Sequence, residues 1–226
     1  MGGWNAPIDN YCERIGPSFW SEPLNAVTNL AFILAALLAW RSAARAGRVE
    51  WMVLVMVALA LAVGTGSFLF HTFATRWAGA ADTIPILLFI LFQLFAATRR
   101  YFGAPWLVAA AAPALFMGFV PLFLAGWRAL LPGIGFSEGY LPVLVALALY
   151  GLALRARRHP AAGWLLAAAL VFAVSLTFRS IDGPVCSSFA QGTHFMWHLL
   201  NGLLLWIVIE GFVRHGAPLA AARARG

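Results

Sequence analysis

The chain contains no lysine: all fifteen of its basic residues are arginine. It is also short of charge in general, at 10% of residues, against about 25% in a water-soluble domain. So few charges do not coat a soluble globule of 226 residues that is 62% hydrophobic, whereas a lipid-facing surface needs none. The first 24 residues lack a basic stretch leading into an apolar one, so no cleavable signal peptide is expected and the first apolar run serves as the targeting element. No polar segment is long enough to fold as an appended domain, and no internal repeat is apparent. The missing lysine excludes a retinal Schiff base. A net charge of +7 raises nucleic acid as a partner, but the arginines sit at the ends of apolar runs and form no patch interleaved with aromatics, so no nucleic-acid partner is expected.

What is present is a series of apolar runs, each near the roughly 20 residues needed to cross a bilayer. They fall at about 24–44, 52–74, 82–98, 105–127, 138–155, 161–179 and 192–213. The expected fold is therefore an all-α integral membrane bundle of seven transmembrane helices, with Pro113 and Pro121 expected to kink or shorten the fourth. Residues 1–23 form an N-terminal segment, 24–213 the bundle and 214–226 a basic tail. Eleven arginines fall at one set of helix ends (Arg41, Arg45, Arg48, Arg99, Arg100, Arg155, Arg157, Arg158, Arg214, Arg223 and Arg225). Four fall at the other (Arg14, Arg76, Arg128 and Arg179). The positive-inside rule then places the N-terminus outside and the C-terminus in the cytoplasm.

Polar groups inside spans are costly and are functional candidates by default. Ser67 and His71 stand four residues apart at the end of the second run, and Asp82 opens the third. His194 and His198 form a second i, i+4 pair at the start of the last, with Asn201 continuing that face. The arginine-derived topology brings all three histidines and Asp82 to the outer level. His159 and His215 fall at the opposite level, in basic links. A histidine pair on one helix plus one from another supplies the three ligands and open position of a catalytic zinc site. Zinc lowers the pKa of water to about 7 and so provides a hydroxide. Asp82 then suits a general base, and Ser67 a donor to the developing oxyanion. The plainer alternatives are a structural histidine at 71, Asp82 as a helix cap and Ser67 bonded to its own helix.

In the N-terminal segment, Asp9, Asn10, Glu13 and Glu22 offer oxygen donors suited to a hard cation such as calcium. Helix capping at Ser21-Glu22-Pro23 with solvated charge is the alternative. Asn25 and Asn29, four apart, read as interhelical hydrogen-bonding residues. Cys12 and Cys186 are the two cysteines; both fall on the expected outer side, where a disulfide is permitted and two unrelated thiols are the other option.

The ordered set Tyr11-Cys12-Glu13, Glu22-Pro23-Leu24-Asn25, Thr28-Asn29, Gly66-Ser67 with His71, Asp82 and His194-x-x-x-His198 resembles the alkaline ceramidase family of the CREST superfamily of membrane hydrolases. The resemblance runs from the N-terminus to the last span. It implies a seven-helix zinc amidase that cleaves ceramide to a fatty acid and a sphingoid base. By the same resemblance His71, His194 and His198 bind zinc, Asp82 positions and deprotonates the water, and Ser67 stabilises the oxyanion. Glu13 and Glu22 match calcium-binding positions, and Cys12–Cys186 matches a family disulfide. The chain departs from the pattern at Arg14-Ile15, which supplies no clear oxygen donor, and at Asp9-Asn10-Tyr11, whose register admits either Asp9 or Asn10. An Ala- and Arg-rich chain without lysine points to a bacterium of high-GC genome and to its inner membrane; the substrate that the resemblance implies is ceramide or, in such a bacterium, a related N-acyl lipid. That lipid would enter sideways from the bilayer, its acyl chain lying among spans two to seven. No obligatory protein partner is evident. Hydrolysis of a lipid ester, and a non-catalytic lipid receptor with a zinc site, are the alternatives.

Overall fold

The computed structural model describes residues 3–131 and 135–216, with side chains undescribed at 135 and 136. Most of the expected basic tail, including Arg223 and Arg225, lies outside the described residues. Helices α1 (Pro23–Thr28) and α2 (Leu30–Arg45) together make the first span. Then follow α3 (Trp51–Phe73), α4 (Arg76–Tyr101), α5 (Trp106–Leu130), α6 (Leu141–Ala156, preceded by a 3₁₀ turn at Gly135–Tyr140), α7 (Ala162–Val185) and α8 (His194–His215). Seven spans are long and apolar enough to cross a membrane, as expected, and there is no strand among the described residues beyond one isolated bridge between Pro7 and Thr75.

Consecutive helices pack side by side from α2 to α8, and α8 closes the ring against α2 while also touching α3. Burial ranks them: 72% of the apolar stretch of α8 is buried against 11% for α5, so α8 is the most enclosed span and α5 the least. Leu107, Leu115 and Leu122 on α5 are exposed, which suits a surface solvated by lipid tails. Pro113 and Pro121 leave α5 one continuous helix.

Several spans exceed their apolar runs. α4 begins at Arg76, six residues before Asp82, and α7 continues through Arg179 and Asp182 to Val185. Hydropathy sees the hydrocarbon stretch, whereas backbone hydrogen bonding carries the helix on through the polar ends. Asp82 therefore lies in the second turn of α4 and is not its cap; Thr75 holds that place.

Two local devices set the bundle's geometry near the histidines. Pro85 has no N–H to offer the Ala81 carbonyl four residues earlier, and a Cβ on Gly66 would lie 1.9 Å from that Ala81 oxygen. Only glycine allows α3 this close to α4, which sets Ser67 against Asp82. Gly192, at φ +62°, does the same for the turn entering α8: a Cβ there would meet Asp182 Oδ1 at 2.2 Å. The two asparagines of the first span bond locally, contrary to the interhelical expectation. Asn29 donates to the Asn25 and Ala26 carbonyls, and Asn25 to Glu22. Side-chain donation to its own helix backbone coincides with the break between α1 and α2.

Candidate metal centre

His71 lies in the last turn of α3, and His194 and His198 lie in the first two turns of α8. Their ligand nitrogens all come within 4.8 Å of one another, and all three residues are buried. Ring centroids are 4.6 Å apart for His71–His198, 4.7 Å for His194–His198 and 5.1 Å for His71–His194.

Hydrogen bonding fixes which nitrogens face inward. His71 Nδ1 lies 2.6 Å from Glu22 Oε2 and donates to that carboxylate, which leaves Nε2 as its ligand atom. Thr28 Oγ1 sits 2.7 Å from the Leu24 carbonyl and 3.0 Å from His198 Nδ1. Its single proton goes to the carbonyl, so it accepts from His198 Nδ1–H and again leaves Nε2 bare. His198 Nε2 and His194 Nδ1 are buried with no hydrogen-bond partner. Orphaned ring nitrogens are expensive in an apolar interior, and two of them converging with the third imidazole, His71, form the donor set that a borderline divalent ion such as zinc takes. The residues fit a metal.

The surroundings hold these rings in place. Asp182 accepts the backbone N–H of Thr193 at 2.7 Å and of His194 at 2.9 Å through one oxygen, and that of Cys12 at 3.1 Å through the other. It thus satisfies the free N–H groups that open α8 and ties them to the N-terminal segment. Cys12 and Cys186 are joined as a disulfide. The segment is anchored at its other end by Ile8 N to Ala74 O at 2.8 Å and Arg76 N to Ala6 O at 3.1 Å. It crosses the histidine end of the bundle and lays the Tyr11 ring on His194, stacked at 3.7 Å. Burial pushes the Tyr11 phenol well above its ordinary value, with Arg179 opposing, so Tyr11 stays a neutral donor.

Glu13 and Glu22 are satisfied from within the chain. Glu13 accepts the N–H groups of Leu24 at 2.7 Å and Asn25 at 2.8 Å, stabilising the free donors of α1. Glu22 pairs with the Arg14 guanidinium through one oxygen, and with His71 and Asn25 through the other. Arg14 also donates to the His71 carbonyl at 3.0 Å. Asp9 and Asn10 are exposed. Among the described residues the three histidines form the only group of three or more His, Cys, Asp or Glu whose ligand atoms gather; the acidic residues expected to bind calcium form none.

Burial works to raise the Glu22 carboxyl, but the hydrogen bond and charge of His71, the charge of Arg14 and the Asn25 amide hold it below its ordinary value of 4.5. A depressed carboxyl stabilises the fold fully above the ordinary value and loses that contribution as pH falls through the folded one. Thermal unfolding in detergent is therefore expected at progressively lower temperature below about pH 4.5, a trend that Glu22→Gln should flatten. Because outer carboxylates orient metal-bound histidines, Glu22→Gln is also expected to weaken metal affinity by about 10–100-fold, read by competition with a chelator.

Asp82 is half-buried. It faces the Ser67 hydroxyl at hydrogen-bonding reach and feels the charges of His71 and Arg179. Ser67, expected to serve an oxyanion, is thus turned to the carboxyl group. Arg179 went unread as a site residue because an arginine near a helix end looks like any interfacial charge. Its guanidinium lies over Tyr11, Tyr140 and Trp197 at 5.7, 5.3 and 5.2 Å, a cation–π cage, and its Nε is buried without a partner.

Below the histidines runs a cavity of about 110 Å³, several times the ~10–15 Å³ that one water needs. Phe32, Tyr140 and Trp197 line its end beside the site, and mainly apolar residues of α3, α4, α6, α7 and α8 line the rest, with Gln93, Tyr150 and Asn201 among them. The class that fold and site define is a seven-helix membrane protein with a three-histidine centre able to bind a metal ion. No protein-family model matches the chain, and no curated protein matches it significantly.

Proposed function

We propose that the chain is a zinc-dependent hydrolase that cleaves the amide bond of ceramide or a related N-acyl lipid, releasing a fatty acid and an amine. What supports this reading above all is one arrangement: three gathered histidines inside a membrane bundle, beside a mainly apolar cavity whose lining residues Phe32 and Trp197 lie against the His198 and His194 rings. A structural metal would need neither the half-buried Asp82 nor the cavity.

His71, His194 and His198 would hold the ion, which supplies Lewis acidity and lowers the pKa of water to about 7. Asp82 takes the proton from the attacking water and passes it to the amide nitrogen as the C–N bond breaks. Water oxygen ends on the acyl carbon, so a fatty acid and a free amine leave. Ser67 orients the Asp82 carboxyl group. Arg179 places positive charge beside the carbonyl oxygen as it turns anionic, and beside the carboxylate of the product. Trp197, Phe32 and the cavity below exclude water from the chain side.

The test is to purify the protein in detergent, weigh its metal content by plasma mass spectrometry, and incubate it with ceramide, other N-acyl lipids and a lysophospholipid. One zinc per chain with fatty acid released from an amide lipid is the expected result. Release from the ester alone would replace the amidase with an ester hydrolase. Metal without turnover of any lipid would leave a receptor.

A further inference from the structure

One face of α4 descends from the site into the cavity. Asp82 stands at the top, and Ile86, Phe89, Gln93 and Ala97 follow at intervals of four, three, four and four, the last four all lining the cavity. Gln93 is eleven residues below Asp82, just over three turns, and therefore on the same face about 16 Å further along the axis.

Gln93 is the polar exception on that face. It is 9% exposed, and both amide atoms, Nε2 and Oε1, are buried without a hydrogen-bond partner. Other polar groups lining the cavity are engaged: the Tyr150 hydroxyl with Thr98 at 2.7 Å, and the Asn201 amide with Ser175 and the Trp197 carbonyl, each at 2.8 Å. A primary amide with a donor and an acceptor both unused inside an apolar wall is a standing cost, and leucine would fill the place without it. A polar group on the molecule that occupies the cavity would supply the missing partner.

We infer that the hydrophobic chain occupying this cavity carries a hydroxyl or oxo group at the depth of Gln93, and that Gln93 selects for it. The inference rests on the lipid-hydrolase reading for the presence of a chain in the cavity, and goes beyond it in naming the chain's chemistry. A hydroxyl uses both halves of the amide, donating to Oε1 and accepting from Nε2–H. An unsubstituted chain leaves both unpaired.

The full-length protein in detergent is loaded with a fluorescent conjugated-polyene fatty acid. Competitors are octadecanoic acid and its hydroxy derivatives with the hydroxyl near the carboxyl group, in mid-chain or at the chain end. A derivative hydroxylated beyond mid-chain is expected to displace the probe about tenfold better than the plain acid, and the near-carboxyl isomer no better than the plain acid. Gln93→Leu and Gln93→Met should each abolish that preference and improve binding of the plain acid. Equal displacement by all isomers of the wild-type protein overturns the inference while leaving a lipid-binding cavity in place. So does a preference that survives both substitutions. Failure of the probe and every fatty acid to bind removes the lipid reading itself, and this inference with it.

Discussion

Replacing His198 with alanine is expected to empty the metal centre. Three imidazoles are the donor set gathered there among the described residues, on two helices in mutual contact. If they share apparent binding of the order found for structural zinc in zinc-finger peptides, roughly 10–16 kcal/mol, losing one of three forfeits about 3–5 kcal/mol, or some two to four decades of affinity. The purified variant should then hold well under one equivalent of zinc, and fatty-acid release should fall to background. His71→Ala should do the same from the opposite helix, and that symmetry separates a shared ion from a local packing defect in α8. Normal zinc content in both variants, or turnover that survives them, would end the zinc hydrolase proposal.

Asp82→Asn should have the converse signature. Asp82 stands beside Ser67 and within the field of His71 and Arg179, and it lies outside the cluster of ligand atoms. An amide of the same shape keeps the packing of α4 against Gly66 but takes no proton. The expected outcome is a fall in kcat of about 10²–10⁴-fold, the usual contribution of a positioned general base, with zinc content and KM nearly unchanged. Loss of zinc in step with activity would make Asp82 a structural partner of the site. Undiminished kcat would move the proton transfer elsewhere. Ser67→Ala, which withdraws only the hydroxyl facing Asp82, should reproduce a smaller part of the same effect.

These two variants probe parts of the molecule that were legible in the sequence to different degrees. The seven spans were readable because lipid imposes one local requirement, a run of apolar residues long enough to cross, and each run carries that requirement by itself. Their ends were not readable to the same precision. Helical hydrogen bonding continues past the apolar stretch, which is why Asp82 and Asp182 lie within helices. The i, i+4 pair His194 and His198 follows from helix geometry alone, and its meeting with His71 from two helices ending at one level.

What the sequence by itself determined, then, is whatever one helix can express: its length, its lipid-facing composition and the face its polar residues share. Only the tertiary structure decided which charges meet. Glu22 is spent on Arg14, His71 and Asn25, and Glu13 on the start of α1. An Arg179 indistinguishable from an interfacial charge sits caged beside the histidines. A carboxylate's role depends on which donors reach it: for Glu13 and Glu22 they come from the turning N-terminal segment, three to twelve residues away, and from His71, forty-nine residues away on α3. No local pattern carries that information, because it exists only once the ring of helices has closed and the N-terminal segment lies across its end.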